Sequence, residues 1–150
     1  MADTKSREER STNMAAIRSK DTKPEVYLRK LLFSNGYRYR KYSKSIYGHP
    51  DLWLKKYNTA VFVNGCFWHR HKGCKYSYMP KSREDYWEKK FESNMARDEK
   101  TKEMLAKDQH KCLVVWECTI NNAKRYKEEE GLLLERIIRF LNSDEEYNEF

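Results

Sequence analysis

The order of elements along this chain predicts an α/β fold, a mixed central sheet flanked by helices. Two observations carry that expectation. Apolar residues recur at helical spacing in three stretches, and short apolar runs of strand length lie between them. The first helix begins near Pro24, since proline suits the first helical turn and Asp21 or Thr22 can cap it. Tyr27, Leu28, Leu31 and Leu32 form its apolar stripe, and Gly36 closes it. Strands follow at Tyr37 to Tyr42, Asp51 to Lys55 and Thr59 to Asn64, the last an apolar run suited to a central strand. Ser82, with Asp85 three residues on, reads as a capping box opening a long charged helix from about Arg83 to Lys107. Its expected apolar side is Trp87, Phe91, Met95, Met104 and Leu105. Lys111 to Trp116 is a fourth strand, in which Cys112 packs. A last helix from about Gly131 to Leu141 is expected to bury Leu134, Ile137, Ile138 and Leu141.

With 150 residues the chain suits one domain, read as residues 1–150. Residues 1–20 form a polar N-terminal arm, and residues 127–150 an acidic C-terminal helix and tail. No stretch reaches the ~20 apolar residues of a membrane helix. The net charge is +8, but residues 127–150 carry −5, leaving +13 on residues 1–126. So basic a body points to a polyanion, of which nucleic acid is the usual one. The chain also holds 11 Tyr, 6 Phe and 4 Trp, and aromatic faces or wedges engage bases as basic groups engage phosphates.

The segment Gly65-Cys66-Phe67-Trp68-His69-Arg70-His71-Lys72-Gly73-Cys74 concentrates the chemistry. Cys66, His71 and Cys74 are spaced C-x4-H-x2-C, and Cys118 lies downstream at the end of an apolar run. Three thiolates and one imidazole suit tetrahedral Zn²⁺ in a structural site. Cysteines also pack as buried hydrophobes or form disulfides. No signal peptide is visible at the N-terminus, so the chain is expected in the cytoplasm with its thiols reduced. Spacing alone leaves His69 or His71 as the histidine ligand. His71 is preferred as the one nearer Cys74, which leaves His69 free to move protons near neutrality. Phe67 and Trp68, held between ligands, are expected to point outward.

Gly48-His49-Pro50-Asp51 precedes the second strand, where the Asp51 carboxylate can bind a hard cation such as Mg²⁺. A Pro-Asp pair is also a common turn. In this element order it looks like the start of the PD-(D/E)xK nuclease motif. The third strand, Ala60-Val61-Phe62-Val63-Asn64, lacks the usual second acid and lysine.

Taken together, Cys66-Phe67-Trp68-His69, Gly48-His49-Pro50-Asp51, Asn13-Met14-Ala15-Ala16-Ile17 with Asp21-Thr22, and Trp116-Glu117-Cys118 resemble the very-short-patch-repair (Vsr) DNA mismatch endonucleases. The likeness is colinear from about Ser6 to about Leu141. It implies a restriction-endonuclease-like fold with a structural zinc. The implied activity is Mg²⁺-dependent nicking of the strand beside the thymine of a T:G mismatch, the product of 5-methylcytosine deamination. By position, the resemblance makes Asp51 the Mg²⁺ carboxylate, joined by the main-chain carbonyl of Val63, and His69 the catalytic histidine. It gives Glu25 and Asp98 supporting places in the active site. Phe67, Trp68 and Trp87 become the aromatic wedge in DNA, and Cys66, His71, Cys74 and Cys118 the zinc ligands. The implied partner is double-stranded DNA with a T:G mismatch, bound by a monomer that mismatch-repair proteins could join. Two departures stand out. Asn64 occupies a position where members often carry histidine, and Lys72-Gly73 change the spacing between His71 and Cys74.

Two other readings compete with a mismatch nickase. One is a restriction-type endonuclease cutting both strands on the same fold. The other is a non-catalytic, zinc-stabilised DNA-binding module, with Asp51 a turn residue and His69 on the surface.

Overall fold

The computed structural model describes residues 20–150. The arm residues 1–19, with Asn13 to Ile17, lie outside the described residues. Helix α1 spans Lys23–Ser34 with Pro24 in its first turn and buries Leu28, Leu31 and Leu32. Its chain leaves through Gly36 at φ +90°, a left-handed conformation that glycine takes without a Cβ clash. The expected side-chain cap is absent. Thr22 holds the N-cap position without a cap bond, and the Asp21 carboxylate turns instead to Arg29 at 2.8 Å.

Strand β1 is only Arg40–Lys41, β2 is Leu52–Leu54, and β3 is Thr59–Asn64 as the apolar run predicts. β2 stops at Leu54 because the chain turns through a short 3-10 segment, Lys55–Tyr57, into Asn58 at φ +50°. Helix α2, Glu84–Lys107, then crosses over to β4, Lys111–Trp116. Helices α3, Glu117–Arg125, and α4, Lys127–Leu141, precede a last strand β5, Tyr147–Glu149. The five strands form one sheet in the order β1-β2-β3-β4-β5. β1 to β3 pair antiparallel; β3, β4 and β5 pair parallel, with Asn64 opposite Trp116. The expected mixed α/β fold is therefore present.

Leu52, Leu54, Val61, Leu113 and Val115 pack on one face against α1, α3 and α4 through Leu28, Leu32, Ile120, Leu133, Ile137 and Phe140. On the opposite face Trp53, Ala60 and Cys112 meet Ile46 and Leu105 of α2. Burial on both faces explains why β3 and β4 read as unbroken apolar runs.

Several expectations need correction. No capping box opens α2: Arg83 is its N-cap, in left-handed backbone, without a side-chain cap. The helix buries Phe91, Asn94 and Leu105, whereas Met95 is 51% exposed, because a cleft separates this part of α2 from the sheet. α3 and β5 were not expected at all. α4 begins at Lys127 rather than Gly131, its first turn holding Glu128, Glu129 and Glu130, where acids suit the helix dipole. Its buried stripe is Leu133, Ile137, Phe140 and Leu141, leaving Leu134 and Ile138 half-buried.

The C-terminal end of α4 is closed from a distance. Lys111 Nζ donates to the carbonyls of Phe140, Leu141 and Ser143 at 2.6, 3.2 and 2.8 Å. Lys111→Met should therefore lower stability by about 1–3 kcal/mol, since it strips a charged donor from terminal carbonyls. Thermal denaturation checks this, and an unchanged Tm would mean that water replaces the ammonium at no cost.

Candidate active site and metal centre

Asp51 sits at the entry to β2, where the chain arrives through His49 at φ +47° and the buried Pro50. The main-chain N–H of Val63, on β3, donates to Asp51 Oδ2 at 2.7 Å. Burial nevertheless pushes the Asp51 carboxyl up to about 7; the Val63 N–H opposes this, and neighbouring Glu25 adds to it by charge and hydrogen bonding. Glu25, in the first turn of α1, is 2% exposed. Its Oε2 accepts the N–H of Asp21 at 2.9 Å, Arg29 Nη1 at 3.2 Å and the close hydroxyl of Tyr42. Burial, then Glu25, pushes the Tyr42 phenol up to about 12, and the Arg29 hydrogen bond holds Asp21 below the usual carboxylate range. Two adjacent carboxyls in a poorly solvated place favour a cation between them.

His69 stands on the loop after β3, its N–H donating to Gly65 O at 3.1 Å. Its Nδ1 lies 2.6 Å from Asp98 Oδ2 on α2. A carboxylate on Nδ1 orients the ring and leaves Nε2 for proton transfer. His69, Asp98 and Asn64 line a cleft of about 740 Å³ between α2 and the sheet, along with Lys72, Trp116 and Tyr147. Asp51 and Glu25 are not among its lining residues. Asp51 and His69 instead bond the same three-residue stretch at the C-terminal end of β3, Asp51 through the Val63 N–H and the His69 main chain through the Gly65 carbonyl.

The ligand atoms of Cys66, His71, Cys74 and Cys118 lie within 4.8 Å of one another. His71 Nδ1 is 3.6 Å from Cys66 Sγ and 3.4 Å from Cys118 Sγ. Trp116 stacks on the His71 ring at 4.1 Å with planes 6° apart, fixing the imidazole. Cys118 belongs to the first turn of α3, directly after β4, which explains how a residue 44 positions beyond Cys74 closes the set. Burial holds the Cys66 thiol up to about 12 and raises that of Cys118. Thiolates at such a place need a cation beside them. Three thiols and an imidazole fit a tetrahedral divalent ion with soft character. His69, bonded to Asp98, is outside this set.

Phe67, Trp68 and Trp87 come together, although Trp87 is on α2. Ring centroids lie 5.2 Å apart for Phe67–Trp68, 5.5 Å for Phe67–Trp87 and 5.8 Å for Trp68–Trp87. All three are half-buried rather than turned fully outward, because Phe67 and Trp87 also pack on the buried Phe91. Two supporting residues escaped the sequence reading. Arg70 lies 3.9 Å over the Phe91 ring and donates to the carbonyls of Phe67, Ser77 and Tyr78. The buried Asn94 donates to Trp68 O at 3.0 Å. Both contacts are long-range in space or to main chain, so no local pattern marks them. The Arg29 contact to Glu25 was legible as an i,i+4 pair.

Residues 2–75 match the family model described as DNA mismatch endonuclease Vsr. The chain is 44% identical over 139 residues to the type II nicking enzyme V.NmeAIP of Neisseria meningitidis serogroup A, covering 93% of this chain and 96% of that protein. It is 43% identical to the type II nicking enzyme V.XorIIP of Xanthomonas oryzae pv. oryzae over 81% of this chain and 89% of that one. It is also 34% identical to the DNA mismatch endonuclease Vsr of Escherichia coli K12, over 86% and 82%.

Proposed function

This chain belongs to the Vsr family of DNA mismatch endonucleases, a restriction-endonuclease-like family, and from that membership we propose that it nicks the strand beside the thymine of a T:G mismatch with Mg²⁺ as cofactor. That it is a DNA-nicking endonuclease follows from the family. The mismatch, the metal identities and the residue roles are our reading. One observation carries it: Asp51, beside Glu25, and His69, bonded to Asp98, are both anchored at the same end of β3. Nicking of paired T:G and C:G duplexes tests it, with Mg²⁺ and with chelator. Equal cutting of both duplexes, or cutting of both strands, would refute the mismatch reading.

Asp51, with the main-chain carbonyl of Val63, would hold the Mg²⁺. An ion bound there would offset charge on the scissile phosphate and its leaving oxygen. Glu25 presses a second carboxyl against Asp51. His69, its Nδ1 held by Asp98, takes the proton of the attacking water at Nε2. Cys66, His71, Cys74 and Cys118 would hold a structural Zn²⁺ that pins the loop carrying Phe67, Trp68 and His69. Residues 1–150 act as one domain and one monomer, with T:G-containing duplex as substrate and mismatch-repair proteins as further partners. Among the described residues no helix is long and apolar enough to cross a membrane.

Phe67, Trp68 and Trp87 form the proposed wedge. A T:G wobble is easier to unstack than a matched pair, so insertion costs least at the lesion. Trp68→Ala should weaken binding to a T:G duplex by about 1–3 kcal/mol, the scale of a lost stacking contact. Matched DNA, held through phosphates, should bind nearly as before. A sharp fall in Tm with the T:G preference intact would make Trp68 a packing residue.

A further inference from the structure

Glu25 is gripped by one oxygen. Three donors converge on Oε2, and among the described residues no donor reaches Oε1. The carboxyl of Asp51 interacts with that of Glu25 by charge and hydrogen bonding. The grip is built at some backbone cost. Asp21 at φ +55° and Tyr42 at φ +51° both adopt the left-handed region, which residues with side chains rarely enter. Arg29, 8% exposed, is the hub. Among the described residues its hydrogen bonds all come from one nitrogen: Nη1 lies 2.8 Å from Asp21 Oδ1, 3.2 Å from Glu25 Oε2 and 3.4 Å from the Tyr42 hydroxyl.

We propose that Arg29 and Tyr42 are positioning residues for the nicking reaction, clamping Glu25 so that its second oxygen is presented to Asp51 and to the cation held there. The proposal rests on the reading of Asp51 and Glu25 as the catalytic carboxyls. A free glutamate side chain samples several rotamers, and a misplacement of about 1 Å at reacting groups costs on the order of 10²-fold in rate. Neither residue touches the aromatic loop, so recognition of the lesion should not depend on them.

Single-turnover nicking of a T:G duplex, the Kd for that duplex in chelator, calorimetric titration with Mn²⁺ and Tm are compared for Tyr42→Phe, Arg29→Met, Arg29→Lys and Asp51→Asn. Tyr42→Phe should cut the rate about 10-fold, the worth of one hydrogen bond to a charged group. Arg29→Met should cut it further, and both should weaken Mn²⁺ binding while the duplex Kd stays within about 2-fold. Arg29→Lys should recover most of the rate, because a single ammonium can replace contacts made by one nitrogen. If Arg29→Met does not fold, Tyr42→Phe and Arg29→Lys decide the matter alone. Wild-type rate and Mn²⁺ affinity in Tyr42→Phe, with Asp51→Asn inactive, overturn the proposal. So does loss of rate and duplex affinity in step with Tm, without rescue by lysine. Full activity in Asp51→Asn overturns the catalytic reading itself, and the clamp with it.

Discussion

Asp51→Asn is expected to bind a T:G duplex and leave it uncut. The substitution keeps the shape of the side chain and can keep the 2.7 Å acceptor contact with the Val63 N–H, but it removes the charge. The Asp51 carboxyl already stands in a costly place, pushed up to about 7 by burial and by Glu25. A neutral amide there relieves the repulsion, so Tm should hold or rise slightly. Catalysis should fall by about 10³-fold or more, because several kcal/mol of charge stabilisation would depend on the ion that Asp51 is proposed to hold, at ~1.4 kcal/mol per decade. His69→Ala should lose ~10²–10⁴-fold, the usual range for an acid–base group. Asn64→Ala, at the cleft beside His69, should lose less than His69→Ala. Full activity in Asp51→Asn or His69→Ala would place the active site elsewhere.

Cys118→Ser should lose its metal and much of its stability together. Cys118 joins α3 to the loop after β3 through a cluster whose ligand atoms lie within 4.8 Å, so the ion would tie segments far apart in sequence. Metal binding of this kind is folding free energy. A loss of more than about 4 kcal/mol, typical when a structural metal goes, lowers Tm by roughly 10 °C in a chain of this size. Metal analysis should find about one Zn²⁺ per wild-type chain and a deficit in the variant. Strong chelator should bring wild-type Tm down to that of the variant. A metal-free wild-type protein with unchanged melting would show the four residues to be a packed cluster only.

Much of the fold was readable because its strongest signals are local. Thr59–Asn64 and Lys111–Trp116 are strands at their expected limits, since burial on both faces leaves an unbroken apolar run. Pro24 and Gly36 bracket α1 through backbone preferences that need no partner. Cys66, His69, His71 and Cys74 stand within one loop, so their spacing marks a metal-competent cluster while leaving the choice between the two histidines open. Helix α3 was missed because only Ile120 and Ala123 are buried in it, too few to establish a helical stripe. Strand β5 was missed because Tyr147–Glu149 is polar and owes its form to pairing with Cys112–Val114 of β4.

By itself, then, the sequence determined the α/β class, the central strands, the basic charge of the body and the local trio of metal-competent residues. Tertiary structure alone decided the pairings that make a site of them. His69 meets Asp98 across 29 residues, and Cys118 reaches Cys66 across 52. Arg29 and Tyr42 hold one oxygen of Glu25, whose carboxyl neighbours that of Asp51. The contacts of His69 and of Cys118 follow from the crossover that lays β4 beside β3 and α2 over the sheet. Hydrophobic burial on both faces drives that arrangement, and it carries the polar partners into place without leaving a pattern in the intervening residues.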